Sequence, residues 1–363
     1  MKIHISQLKE GCILTDDVLS ATNRPLAYKN TIITKRLKDV LQAFLVKDVQ
    51  VANVLENGKE FKPFFFEEEE QVTENQKEKL THHKPFHQHY LESVQAYKQL
   101  FISWQSGVLV DIHKVRKVIL PLVEEIVKND EEVFKLYHYC KKEDYVFHHS
   151  ISVALVSTFL AKKLGYQMGE INQIALTGLL CDCGMAKVSP NILKKNLTLT
   201  ESEYKDIKQH PVHSYNLLKN IMSIKGGVKM GVLQHHERID GSGYPLNVKD
   251  QQLHPYSKIV ALADTYQAMV SVRPYRSKQS PFKVLEQIME DDFGKFDLTI
   301  INELKKGITR FSSGTKVRLS NGVNAEIIFM DDSNPTRPMV KCLLTEEIIS
   351  LKDRRELFVE EII

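Results

Sequence analysis

Apolar residues recur every three or four positions through most of the chain. One series contains Ile151, Leu155 and Phe159 and is followed by Gly165, a residue that often ends helices. Comparable spacing continues from about residue 86 to 309. The pattern predicts an all-helical domain over this range.

One helix start within this domain is clearly marked. Thr200 is followed three residues later by Glu203, the spacing of a capping box in which each side chain bonds the other residue's backbone N–H. The spacing predicts a helix beginning after Thr200, with His210 near its far end.

Different patterns flank the helical domain. Residues 1–62 mix short β-like runs with one helical pattern and predict a small α+β domain. Residues 63–85 are rich in charge, Gln and His, as expected of a solvated connector. Residues 310–363 contain β-branched runs separated by Asn-Gly and Pro turns and predict a small β-barrel-like module. The expected fold class is mainly α, a helical bundle with two small flanking modules.

Composition narrows the possible functions. The 363 residues contain 42% hydrophobic and 26% charged positions, a globular balance, and no apolar run is long enough to span a membrane. The first residues lack a signal-peptide pattern and the five cysteines are scattered, so we expect a cytoplasmic protein. A net charge of +3 without a basic cluster argues against duplex nucleic acid as a partner.

Six side chains able to bind metal recur on or beside the predicted helices. Imidazole and carboxylate ligands suit iron, manganese or zinc, and a carboxylate can bridge two cations. Any one histidine alone would be better explained as a surface or core residue. The six groups are His149, Asp182, His210, His235, His236 and Asp264.

Several segments in order resemble the HD-GYP family. The strongest is HHERIDGSGYP at residues 235–245, followed by KIVALADTYQAMVSVRPYR up to Arg276. Upstream, HHSISVALVSTFLAKKLG is similar to the family's first ligand helix, and LTGLLCDCGMAKVSPNIL occupies the place of its HD segment. TLTESEYKDIKQHP then supplies the expected His-Pro. The resemblance covers roughly residues 140–300.

The resemblance implies an HD-type helical core with a binuclear metal centre that hydrolyses cyclic di-GMP to linear pGpG or GMP in bacterial second-messenger signalling. By motif, His149 is the first ligand, Asp182 the bridging carboxylate and a catalytic residue, and Asp264 the closing ligand. His210 and the His235–His236 pair complete the set. Tyr145 stands where members with a third metal carry Glu, so two divalent ions are expected.

The resemblance also assigns substrate contacts. Tyr244 offers an aromatic face and a hydroxyl, although a packing role in the turn explains it equally well. Arg273 and Arg276 lie three residues apart, and their guanidinium groups suit phosphate oxygens. Lys187 replaces a family lysine two positions earlier and is a predicted catalytic residue, with a solvated lysine as the alternative.

The chain departs from the family at its HD dyad, which here is Cys181-Asp182. The sulfur of Cys181 lies nearer the backbone than an imidazole nitrogen would, so we expect it to miss the metal unless the backbone shifts. Three functions therefore remain open. They are a cyclic di-GMP phosphodiesterase, a degenerate member that binds the dinucleotide or a protein partner without turnover, and a metal-dependent hydrolase for another nucleotide.

Two features remain without an assigned function. A cluster of histidines near the connector, His82, His83, His87 and His89, lacks ligand spacing and is expected to be a polar surface segment. The two terminal modules are expected to be accessories that could bind protein partners.

Overall fold

The structure is a computed structural model of the whole chain, and its two compact units are Met1–His82 and His83–Ile363. The domain boundaries predicted from sequence stay predictions, and most of the predicted connector lies outside the described residues. The described residues are 1–4, 8–19, 25–43, 46, 48–58, 61, 85–140, 142–193, 195, 198–272, 278–290, 292–310, 313–331 and 333–363.

The first unit is a small α+β fold with its own apolar core. An antiparallel sheet has the order β1-β5-β2, and β3 pairs with β4. The side chains of Leu14, Leu41 and Val51 are fully buried in this core. The elements are β1 (Lys2–His4), β2 (Cys12–Leu14), β3 (Val18–Leu19), β4 (Pro25–Ala27), α1 (Lys35–Ala43) and β5 (Asp48–Leu55).

The second unit is mainly helical, as predicted from the apolar spacing. Its helices are α2 (Phe86–Gln105), α3 (Ile112–Lys128), α4 (Leu136–Tyr139), α5 (Tyr145–Lys163), α6 (Met168–Leu180), α7 (Pro190–Leu193), α8 (Glu201–Lys208), α9 (His210–Leu218), α10 (Gly226–Gln234), α11 (Pro255–Val270), α12 (Pro281–Glu290) and α13 (Leu298–Ile308).

Helix α5 forms the centre of this unit. It is buried from His148 to Ala161, because α2, α3, α6 and α11 all pack against it. A helix that is apolar on every side is stable only when surrounded in this way. The chain leaves α5 at Gly165, whose φ of +81° ends the helix as predicted.

Helices α5 and α6 approach each other closely at Gly178. A Cβ atom placed there would lie 2.9 Å from the Cα of Ala154 and 3.1 Å from the hydroxyl of Ser157. Only glycine permits this approach without movement of the backbone. The contact fixes the end of α6, from which the Cys181-Asp182 dyad follows directly.

The C-terminal strands form one antiparallel sheet of order β10-β6-β7-β8-β9. Among the described strands, β10 and β9 are its two edges, so the strand-rich module is an open sheet. Val317, Ile327 and Val340 are fully buried and belong to the same apolar core as the helices. The strands are β6 (Lys316–Leu319), β7 (Asn324–Phe329), β8 (Met339–Cys342), β9 (Ile348–Ser350) and β10 (Val359–Ile362).

The predicted capping box is present at the start of α8. The Thr200 hydroxyl accepts from the Glu203 N–H at 3.3 Å, and the Glu203 carboxylate accepts from the Thr200 N–H at 2.7 Å. The helix ends at Lys208 and is therefore shorter than predicted. His210 instead begins α9, with Pro211 in its first turn.

We predict that Gly178→Ala will destabilise the protein by about 1–3 kcal/mol, because the added methyl group forces α5 and α6 apart. Gly169→Ala is the matched control: it lies in the same helix with no atom within 4 Å of the added carbon, and there alanine's helix propensity is favourable. Urea unfolding of both variants measures the difference. Equal stability of the two variants would contradict the close approach.

Candidate metal centre

The structure brings all six predicted ligand residues together in the second unit. Helix α5 carries His149, and α11 carries Asp264. Asp182 lies directly after α6, and His210 opens α9. The pair His235–His236 follows the last turn of α10.

The six residues form two clusters that share Asp182. The first cluster comprises Asp182, His210, His235 and His236, and the second comprises His149, Asp182 and Asp264. Within each cluster the potential ligand atoms all lie within 4.8 Å of one another. The two oxygens of Asp182 face different clusters: Oδ1 lies 3.1 Å from His210 Nε2, and Oδ2 lies 3.6 Å from His149 Nε2.

Backbone carbonyls fix the orientation of two rings in the first cluster. Nδ1 of His210 lies 2.7 Å from the Ile207 carbonyl, and Nδ1 of His235 lies 2.8 Å from the Val232 carbonyl. Because a carbonyl only accepts, each Nδ1 carries the proton. In the neutral rings both Nε2 atoms then present lone pairs, although they lie only 3.1 Å apart.

A cation would relieve the resulting repulsion. The two imidazole lone pairs and Asp182 Oδ1 converge, and among the described residues this buried oxygen has no donor in hydrogen-bonding geometry. Buried polar atoms without partners are costly, and metal coordination satisfies them. The donor set of imidazoles and carboxylates therefore fits a divalent metal ion.

The second cluster is arranged around Asp264. Its Oδ1 lies 2.8 Å from His149 Nε2, and its Oδ2 lies 3.6 Å from His236 Nδ1 in the first cluster. On the other side of His149, Nδ1 lies 3.4 Å from the Tyr145 hydroxyl, and the two rings stack. Tyr145 thus contacts the predicted first ligand directly.

The charges of the site are strongly coupled. Burial raises the pKa of Asp182, but His210 and His235 in their protonated forms would outweigh burial through charge and hydrogen bonding, and they bring that pKa well below its usual range. Burial together with the neighbouring His235 lowers the pKa of His236 well below its usual value, so this ring is neutral and able to donate a lone pair. The carboxylate and imidazole are therefore in the forms that bind metals.

Ser214 fastens the dyad segment to α9. Its hydroxyl accepts from the Gly184 N–H and donates to the Cys181 carbonyl, both at 2.7 Å. A Cβ at Gly184 would lie 2.2 Å from the carbonyl of His210. These contacts set the position of Asp182 relative to His210.

Glu237 organises the loop beside the histidine pair and was not identified from the sequence. Its buried carboxylate accepts from the backbone N–H groups of Leu246, Asn247 and Val248 at 2.6–3.3 Å. Gly243 passes so close to Glu237 that a Cβ would lie 2.3 Å from its Cα. The position of Glu237 inside HHERIDGSGYP could have indicated this role, because a carboxylate buried beside the histidine pair requires several hydrogen-bond donors.

Tyr244 lies beside the centre. Its ring stacks on His236 with centroids 4.7 Å apart, and the side chain is half-buried. The contact explains packing against a predicted ligand, and the Lys208 ammonium nitrogen lies 5.0 Å from the centroid of the same ring. Its substrate contact stays a prediction.

The other predicted residues differ in their surroundings. The Cys181 sulfur belongs to neither cluster, and its thiol contacts the Gly178 carbonyl at 3.2 Å. Burial and the carboxylates of Asp182 and Asp264 raise the pKa of this thiol well above its usual value. Lys187 donates to the Trp104 carbonyl at 3.0 Å.

Some predicted features lie beyond what the structure describes. Arg273, Arg276 and the first two histidines of the surface cluster are outside the described residues. Of the remaining two, His89 contacts Glu125 at 2.5 Å, on the neighbouring helix. Across the described residues, no helix has the length and apolar character needed to cross a membrane.

Comparison with known proteins places this site in a family. Residues 126–300 match the family described as the HD domain. The chain is 25% identical over 67% of its length to a cyclic di-GMP phosphodiesterase of Pseudomonas aeruginosa, and covers 58% of that protein. It is 32% identical over 47% of its length to 3'3'-cGAMP-specific phosphodiesterase 1 of Vibrio cholerae, covering 39% of it. The chain thus spans less than two thirds of these relatives.

A solved HDG"Y"P protein from Bdellovibrio bacteriovorus has 14% sequence identity and a TM-score of 0.49, with 84% of this chain and 98% of that chain covered.

The second unit therefore contains an HD domain. The domain contains the HHERIDGSGYP segment in the place expected from the HD-GYP family, which the sequence resembles. The family resemblance inferred from the sequence is confirmed.

We predict that Asp182→Asn will remove most bound metal, because this carboxylate contributes an oxygen to both clusters and a neutral amide is a weak ligand. Asp240→Asn, an exposed acid in the neighbouring loop and in neither cluster, is the control. Mass spectrometry of purified, folded variants measures metal per chain. Wild-type metal content in Asp182→Asn would contradict the shared-carboxylate arrangement.

Proposed function

We propose that the protein is a metal-dependent phosphodiesterase that hydrolyses cyclic di-GMP to linear pGpG or GMP. The observation that carries the proposal is the pair of buried ligand clusters sharing one carboxylate. A centre of this kind suits an anionic diester, because two neighbouring cations neutralise phosphoryl charge and activate water. The names of several relatives point to cyclic dinucleotides as substrates.

The chain's own residues divide the tasks. His149, Asp182 and Asp264 would hold one ion, and the first cluster would hold the other, with iron or manganese favoured and zinc as an alternative. Asp182 orients both sites, since its two oxygens face different clusters. Backbone carbonyls hold the His210 and His235 rings in the tautomer that ligation requires.

Substrate binding is proposed beside the centre, at Tyr244 and the two arginines of the motif. Half-buried Tyr244 lies next to His236, and its hydroxyl and ring edge are proposed to contact the substrate. Arg273 and Arg276 are proposed to contact phosphate on the basis of the motif. Lys187 is a weaker candidate for proton donation to the leaving group, because its ammonium group donates a hydrogen bond to the Trp104 carbonyl.

One observation favours a second function, binding without turnover. The family's dyad histidine is replaced by Cys181, whose thiol contacts a backbone carbonyl of its own helix. The second cluster therefore has three protein ligands. A weakly held ion there would leave a protein that recognises the dinucleotide without cleaving it.

We expect the purified protein supplied with iron or manganese to contain about two ions per chain and to convert cyclic di-GMP to linear products. Metal analysis and product chromatography test this directly. Cyclic dinucleotide binding with full metal content and no product would establish the binding function. Cleavage of 3'3'-cGAMP in preference to cyclic di-GMP would show that the substrate is a different cyclic dinucleotide from the one proposed.

The role of position 181 can be tested separately. We expect Cys181→Ser to retain wild-type metal content, because the Cys181 sulfur is in neither cluster. Cys181→His should raise metal occupancy and rate, provided that the core accepts the ring at a packing cost of about 1–3 kcal/mol. Loss of metal from Cys181→Ser would instead identify a thiolate ligand.

A further inference from the structure

Lys208 is held between two tyrosine rings at the edge of the metal centre. Its ammonium nitrogen lies 4.9 Å from the centroid of the Tyr204 ring and 5.0 Å from that of Tyr244. A cation over an aromatic face is attracted by the ring's electron density, and two rings hold it better than one. The side chain is therefore fixed in place although it is only half-buried.

The ammonium group has no anionic partner in the described part of the chain. Most lysines with a fixed position in this unit bond a carboxylate, as Lys195 does with Glu203 at 2.6 Å and Lys258 with Asp250 at the same distance. Among the described residues, no carboxylate oxygen lies within 4 Å of the Lys208 ammonium nitrogen. Its positive charge is thus available to an external anion.

Two structural connections link the Lys208 ammonium group to the metal centre. One tyrosine that holds it, Tyr244, also stacks on His236, so a single ring separates Lys208 from the first cluster. Along the chain, Lys208 ends α8 and His210 begins α9. A shift of either helix end would move both the charge and a ligand.

A cyclic dinucleotide contains two phosphodiester groups, each with one negative charge. Only one of them can react at the metal centre, and the other needs a separate cation nearby. An ammonium group is a compact charge suited to this task, and its strength rises where the site excludes water. Lys208 meets these requirements from the chain's own geometry.

We propose that Lys208, held by Tyr204 and Tyr244, binds the second, non-reacting phosphodiester and so selects cyclic dinucleotides over diesters with a single phosphate. This inference rests on the proposed function. The interaction between the phosphodiester and the Lys208 ammonium group is electrostatic, and no covalent step is involved.

The test compares Lys208→Met with Lys205→Met, which removes the same charge from an exposed position on the same helix. In calorimetry, Lys208→Met should weaken cyclic di-GMP binding about tenfold and reduce its salt dependence, as loss of one charge-assisted contact predicts. Lys205→Met should bind like wild type. Metal content and thermal unfolding of each variant confirm that the site and fold are intact.

A second measurement separates phosphate binding from general support of the centre. The ratio of kcat/KM for cyclic di-GMP to that for bis(p-nitrophenyl) phosphate, a diester with one phosphate, should fall about tenfold in Lys208→Met. Tyr204→Leu should lower the ratio by a smaller factor. An equal loss on both substrates would show that Lys208 only braces Tyr244 and would overturn the proposal.

Other outcomes distinguish this proposal from the proposed function. If wild-type protein and Lys208→Met bind cyclic di-GMP equally well, the role of Lys208 is overturned, but the proposed function is not. Wild-type protein that cleaves the small diester but does not bind cyclic di-GMP overturns the dinucleotide substrate and this inference together.

Discussion

The burial of the Asp182 carboxylate among imidazole rings is the constraint on which the second unit depends. A buried negative charge is stable only when positive charge or several donors surround it. A cation would meet this need, and the groups able to hold it come from the dyad segment and from α5, α9, α10 and α11. The four helices must therefore end or pass at one place. Close approaches at Gly178 and Gly184 allow them to do so.

A second layer of contacts makes the arrangement specific. Carbonyls of Ile207 and Val232 select the tautomers of two rings, and Ser214 joins the dyad segment to α9. Glu237 gathers three backbone donors in the loop that positions Tyr244. Because these contacts orient groups that bear the charge, their loss would alter ligand geometry without removing any ligand.

Local features were predictable from the sequence, whereas features set by tertiary contacts were not. The capping box at Thr200 depends on four consecutive residues, so its spacing was sufficient. The motif indicated the six residues that the structure brings together. The Trp104 contact of Lys187 and the position of Lys208 beside Tyr244 depend on residues that are distant in sequence. The C-terminal strands were predicted from their β-branched runs. That they pack into the same apolar core as the helices could not be inferred from those runs.

The altered dyad makes the two clusters unequal in a way that bears on chemistry. The first cluster offers four potential ligands, and the second offers three, since the Cys181 thiol contacts Gly178. Metal sites with a full set of protein ligands are commonly structural, whereas catalytic sites keep a position open for water or substrate. We therefore expect the replacement of the dyad histidine to leave a coordination position free on the His149 side and to lower the affinity of that side for metal. Both effects have one cause, so metal occupancy and reactivity at this centre should be set together by the residue before Asp182.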